Sequence, residues 1–137
     1  MIVLRQLRYM NKSDLGFDMD QILVIKPPIL TSWDSTFISK TNNFKEEIKQ
    51  VSHIKGAATS WNTPGGDIGR SFNVRQADSA TTAKFTMRHT AVDYDFLNVY
   101  GIKLLAGRNY RPTDHNPNGG KLKNILINAS AAKLLGF

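Results

Sequence analysis

KFTMRHTAVDYDFLNVYG, residues 84–101, changes its period half-way along. From Lys84 to Asp93 the chain alternates. Phe85, Met87, His89 and Ala91 fall on one face and Lys84, Thr86, Arg88 and Thr90 on the other, the period-2 pattern of a strand with its apolar face inward. From Asp93 the spacing turns helical. Phe96, Leu97 and Tyr100 make one apolar stripe, Asp93 stands as N-cap, Asp95 lies in the first turn and Gly101 is placed to stop the helix. Upstream, Ser71 to Val74 puts Phe72 and Val74 on one face, and the polar Ala/Ser/Thr-rich segment 77–83 joins the two runs, which predicts a hairpin.

Further out, the pattern continues in both directions. Ile54 to Trp61 reads as a strand closed by the turn residues Thr63-Pro64-Gly65-Gly66. Phe37, Phe44, Ile48 and Val51 recur at helical spacing, opposite Lys40, Asn43, Glu46, Glu47 and Lys49, with Ser32 or Asp34 as N-cap. Ile22-Leu23-Val24-Ile25 reads as a buried strand stopped by Pro27-Pro28. Downstream, Ile102 to Leu105 and Ile125 to Ile127 are apolar runs read as strands, separated by a loop over 112–120, and Asn128 caps a last helix, 129–135, ended by Gly136. The expected class is α+β, a mixed or antiparallel sheet with helices packed on it. Phe44 and Phe96 are its expected core anchors.

Composition narrows the function classes. The 137 residues suffice for one domain with a core, and cysteine is absent, which excludes disulfides and thiolate metal sites. The formal net charge is +7 and the pI about 9.8, which suggests nucleic acid, anionic lipid or an acidic partner. The charge is uneven: residues 1–12 carry three basic groups and no acid, residues 13–83 are net −1, and residues 84–137 are net +5. No dense Lys/Arg block occurs. No apolar run approaches the roughly 18 residues of a membrane span, and no signal-peptide pattern is present.

Catalytic and metal signatures fail on spacing. Pro64-Gly65-Gly66-Asp67-Ile68-Gly69-Arg70 is Gly-rich but lacks the Lys and hydroxyl of a phosphate loop. His53, His89 and His115 are too far apart for a zinc motif; His89 reads as a satisfied core or rim residue, and His115 beside Asp114 is a weak metal candidate. Asp14, Asp18 and Asp20 lack the Gly and Glu of a calcium loop, and Asp93 with Asp95 is explained by capping. Asn11 and Asn128 sit in glycosylation sequons, which arise often by chance. No serine-nucleophile elbow exists. The chain is therefore expected to be non-catalytic, with no cofactor and no metal of its own. The candidate partner-contact residues are Trp33 and Trp61, each flanking a loop, and Asn116 and Asn118 in the 112–120 loop.

Three stretches carry a resemblance. QLRYMNKSDLGFDMDQILVI (6–25), VDYDFLNVYGIKLLAGRNY (92–110) and ILINASAAKLLGF (125–137) resemble, in this order and spacing, segments of permease subunits of MacB/FtsX-type ABC transporters, in the form found in their Bacteroidetes-like members. The resemblance implies a MacB-like periplasmic core domain, facing the periplasm of a bacterial inner membrane. Residues 1–18 would be a stalk remnant and junction following a transmembrane helix, with Val3, Leu7 and Met10 on one helical face, and residues 19–137 the extracytoplasmic domain. It further implies a dimeric permease whose ATP is hydrolysed by a separate cytoplasmic domain or subunit. The stalk then transmits nucleotide-driven closure outward, to move the outer domains or engage a periplasmic adaptor or an exported peptide or lipoprotein. Domains of that family usually continue past the Leu-Gly-aromatic point, so an uncovered sheet edge and self-association are expected here. The alternative is a small basic nucleic-acid-binding domain, its strand aromatics stacking bases; no RNP-like or helix-turn-helix signature supports it.

Overall fold

The computed structural model describes residues 21–28, 32, 34–75, 84–114 and 124–137. Their elements run α1 (Ser35–Ile48), β1 (Ser71–Val74), β2 (Phe85–Arg88), α2 (Phe96–Val99), a 3-10 turn (Pro112–Asp114) and α3 (Ala129–Leu135). This is an α+β arrangement around a two-stranded antiparallel sheet.

Each helix begins or ends where its residue chemistry directs. The Asp34 carboxylate accepts from the Phe37 N–H at 2.8 Å, and the Asn128 side chain accepts from the Ala131 N–H at 2.8 Å, each satisfying an orphan donor of a first turn. Helix α2 ends with Gly101 at φ +63°; the Ile102 N–H donates to the Leu97 carbonyl at 2.8 Å and the Gly101 N–H to the Asn98 carbonyl at 3.3 Å. Gly136, at φ +79°, ends α3 in the same way, with the Phe137 N–H on the Ala132 carbonyl at 3.0 Å. Only glycine enters this left-handed turn without strain. The start of α2 differs from expectation by two residues. Asp93 accepts from the Asp95 N–H rather than from inside the helix, and Asp95 occupies the cap position without a side-chain capping bond.

The hairpin forms as predicted, with Phe72 opposite Met87 and Val74 opposite Phe85. On the polar face Thr86 donates across the strands to Asn73 at 3.0 Å. The ladder then continues past the strand ends. The His89 N–H donates to the Arg70 carbonyl, the Trp61 N–H to the Ala91 carbonyl and the Asp93 N–H to the Thr59 carbonyl, at 2.9–3.1 Å, around a bridge between Ser60 and Val92. Residues 89, 91 and 93 present their bonds to one edge, so 59–61 and 70–74 line the same side of the 85–93 run and the intervening loop bulges out. In that loop the Gly66 N–H donates to the Thr63 carbonyl at 3.0 Å, the turn the sequence predicts.

The buried core is Phe96, Leu97 and Tyr100, with the Phe96 and Tyr100 rings 4.8 Å apart. Ile22, Ala58, Val92, Val99, Ile102 and Leu126 pack around it. Each large apolar side chain buried there contributes about 1.5–3 kcal/mol.

Several expectations fail here, for identifiable reasons. Residues 22–25, 102–105 and 125–127 form no strand, because no neighbouring chain offers them a ladder among the described residues, and the expected 54–61 strand is reduced to a single bridge at Ser60; β-branched composition suits a pleated, half-buried surface and does not create one. Only Ile22, Ile102 and Leu126 of the three outer runs reach the core, while Leu23 is 84% exposed and Leu105 86%. Helix α1 is turned part-way from its predicted face. Phe37 and Ile48 are half-buried as expected, but Phe44 and, past the helix end, Val51 are about half exposed, and Ile38, Thr41 and the buried Lys45 share the inward side. Phe44 is therefore no core anchor. The stalk reading of residues 1–18 and the contact candidates Trp33, Asn116 and Asn118 lie outside the described residues.

Candidate functional site

Two clusters of polar and aromatic side chains stand out. The first ties α1 to the core. The Lys45 ammonium, 4% exposed, pairs with the Asp93 carboxylate and, at 3.0 Å, with Asp95. It also lies 5.0 Å from the centre of the Tyr94 ring. Lys49 completes a second pairing to Asp95 at 3.1 Å and reaches Glu46 at 3.0 Å. Asp93 in addition accepts from the Thr59 N–H at 2.8 Å and the Thr59 hydroxyl at 3.0 Å.

The chemistry of this cluster is that of a clamp. Burial pulls the Lys45 ammonium down, but the hydrogen bonds and charges of Asp93 and Asp95 outweigh it and hold its pKa above the ordinary value. A lysine held charged is no nucleophile. Burial likewise pushes Asp95 up, and the bonds from Lys45 and Lys49 overcome it, leaving its pKa below the usual range. Capping alone thus does not explain the Asp93–Asp95 pair; both carboxylates are partners of one buried cation. The sequence reading passed over Lys45. The available signal was the Asp-x-Asp set beside an apolar stripe, two carboxylates that require a cation if either is to be buried.

The second cluster lies on one face of the hairpin ladder. Register puts Trp61, Arg70 and Phe72 on the same face as Met87, His89 and Ala91. The Arg70 guanidinium stacks 4.2 Å from the centre of the Trp61 ring. His89 sits edge-on to Phe72 at 4.8 Å and tilted to Trp61 at 6.5 Å, and its buried Nδ1 has no hydrogen-bond partner among the described residues. The expectation of a satisfied histidine is corrected on that point. The predicted inward face is covered in part: Phe85, Met87 and His89 are half-buried and Lys84, Thr86 and Arg88 exposed, as expected, while Trp61 is 49% exposed, Phe72 46%, and Ala91 is exposed, whereas the adjacent Val92 reaches the core. Of the candidate contact residues, Trp61 alone is described, and its backbone is fixed by the bond to Ala91.

A third group, around Arg108, is saturated. Its guanidinium holds both carboxylate oxygens of Asp114, at 2.6 and 3.1 Å. Asp114 also accepts from the Arg111 N–H at 2.8 Å and from Asn124 at 3.1 Å. The Arg108 bond, helped by the Arg111 N–H, pulls the Asp114 carboxyl down to about 2. An Asp engaged on both oxygens is a poor metal ligand, which counts against the Asp114–His115 idea; His115 lies outside the described residues. Asn128 of the second sequon spends its side chain on the helix cap. Among the described residues no group of three metal-ligating side chains comes together, and no helix is long and apolar enough to cross a membrane.

Comparison with known protein families, with curated proteins and with solved structures finds no match for this chain. The site is therefore argued from its own geometry: one cation neutralised inside, and one displayed on an aromatic face.

Proposed function

We propose that this chain is a non-catalytic extracytoplasmic domain of a MacB/FtsX-type ABC transporter permease, with a MacB-like periplasmic core fold, that passes ATP-driven movement to a periplasmic partner. The observation that carries the reading is where the three resembling stretches meet. Ile22 from the first, Phe96, Leu97 and Tyr100 from the second, and Leu126 from the third share one core. The Leu126 N–H also donates to the Tyr110 hydroxyl at 3.1 Å, a second tie between the second stretch and the third. Segments far apart in sequence that carry one pattern and also build one packing unit support a common ancestry better than any stretch alone.

In this reading the described residues supply a rigid body on a stalk. The Lys45 clamp and the aromatic core resist deformation, so force delivered at the N-terminal side moves the hairpin as a unit. ATP chemistry resides in a separate cytoplasmic domain or subunit, and a second permease copy completes the dimer. The test is membrane topology of the natural gene product. Alkaline phosphatase fused within the natural polypeptide, next to Phe137, should be active, and green fluorescent protein at the same junction dark, if this domain faces the periplasm. A dark phosphatase fusion with a bright fluorescent one overturns the reading.

A further inference from the structure

The exposed face of the hairpin holds an arginine, Arg70, whose charge no described carboxylate answers. Asp67, in the loop that Trp61 and Arg70 flank, contacts Arg88 at 3.4 Å instead. Among the described residues no carboxylate pairs with Arg70. Stacking on Trp61 restricts the guanidinium and leaves its N–H edge free, the state in which a planar fork takes a carboxylate through two parallel bonds. Beside it, Trp61 and Phe72 each leave about half their surface in water, so apolar aromatic area flanks the cation on the same face. A cation flanked by apolar area is complementary to an acidic side chain flanked by apolar ones.

We propose that Trp61, Arg70, Phe72 and His89 form a docking surface for an extended acidic peptide segment of a partner protein. Arg70 takes a carboxylate, and Trp61 and Phe72 take the apolar side chains beside it. Alternation in an extended peptide sends side chains two apart to one face, so an acidic residue and an apolar residue at that spacing reach Arg70 and its aromatic neighbours together. The net charge of +7 favours the encounter. A single-stranded nucleic acid fits less well. Arg70 already covers one face of the Trp61 ring, and Arg88 lies on the other face of the ladder, so no row of cations tracks a phosphate backbone. The inference stands apart from the permease reading, since it concerns what this face binds and not where the domain resides.

The test is fluorescence anisotropy on the full chain with a labelled peptide of repeating Asp-Ser-Leu-Ser, which places aspartate and leucine two residues apart on one face of the extended chain. Controls are the same peptide with asparagine for aspartate, and a ten-residue thymidine oligonucleotide. Saturable binding is expected, weakened about tenfold or more by Arg70→Ala and by asparagine in the peptide, and weakened only partly by Arg70→Lys, which loses the bidentate fork. Trp61→Ala should weaken it comparably and Arg88→Ala by less than about twofold. Unchanged circular dichroism of each variant separates lost binding from lost fold. No saturable binding to the peptide, equal loss with Arg88→Ala, or tighter binding of the oligonucleotide overturns the proposal.

Discussion

The molecule places a cation against an aromatic ring twice, with opposite consequences. Lys45 lies near Tyr94, is buried, and is answered by Asp93 and Asp95; Arg70 lies on Trp61, is exposed, and is answered by no carboxylate among the described residues. A buried cation is tolerable only when paired, because desolvation costs several kcal/mol per ion. A surface cation keeps its water and needs no partner. The contrast separates a group committed to the fold from one available to a ligand, and residue type alone does not make that distinction.

The strongest way to break this contrast is to remove its buried side. Phe96→Ala should cost about 3–5 kcal/mol in denaturant unfolding, through lost burial and the cavity left beside Tyr100. Lys45→Met should cost about 3 kcal/mol, because it leaves Asp93 and Asp95 facing each other without their common cation. A loss below about 1 kcal/mol in Lys45→Met would show that the clamp is decorative. Phe44→Ala, about half exposed, should cost well under the Phe96 change, on the order of 1 kcal/mol.

Acid sharpens the same comparison. Asp95 and Asp114 have pKa values below their ordinary range, Asp114 at about 2. A carboxylate depressed in the folded state stabilises above its unfolded value of roughly 4 and loses that contribution as pH falls through its folded value. The melting midpoint should therefore hold steady from pH 7 to about 5 and decline from about 4 toward 2. The decline should be shallower in Lys45→Met, where Asp95 keeps only its bond from Lys49. Lys45 has the opposite sign. Its pKa is raised, so its contribution is complete below the unfolded value of roughly 10.4 and fades as pH rises through the higher folded value. A decline of equal slope in wild type and Lys45→Met would break the assignment.

How much of this was legible in the sequence follows from range. Local signals read well: the Asp34 and Asn128 caps, the glycine stops at 101 and 136, the Phe96–Leu97–Tyr100 stripe and the 71–88 hairpin each depend on residues within a few positions. Strand identity read poorly at 22–25, 102–105 and 125–127, because a strand is defined by a neighbour and these runs have none among the described residues. The face of α1 was legible at Phe37 and Ile48 and misread at Phe44 for a related reason. Phe44 carries the larger apolar signal, yet the most buried position goes to Lys45, whose partners lie 48 and 50 residues downstream. The alternation of 84–89 was legible, and the exposure of Trp61 and Phe72 was not, since periodicity gives the face and not what covers it.

The smallest predicted effect is the most discriminating. Arg70→Ala removes a charge and a stacked side chain, as Lys45→Met does, but the fold draws on neither. Stacking at an exposed site is worth about 0.5–1 kcal/mol, and Trp61 retains its backbone bond to Ala91 in the variant. The unfolding free energy should change by less than about 1 kcal/mol, and the acid dependence should match wild type, because neither Asp95 nor Asp114 draws its shift from Arg70. A loss matching that of Lys45→Met would mean that the exposed face is structural, and the division between a committed and an available cation would fail. A neutral Arg70→Ala that abolishes peptide binding would place stability and recognition on different residues of one small domain.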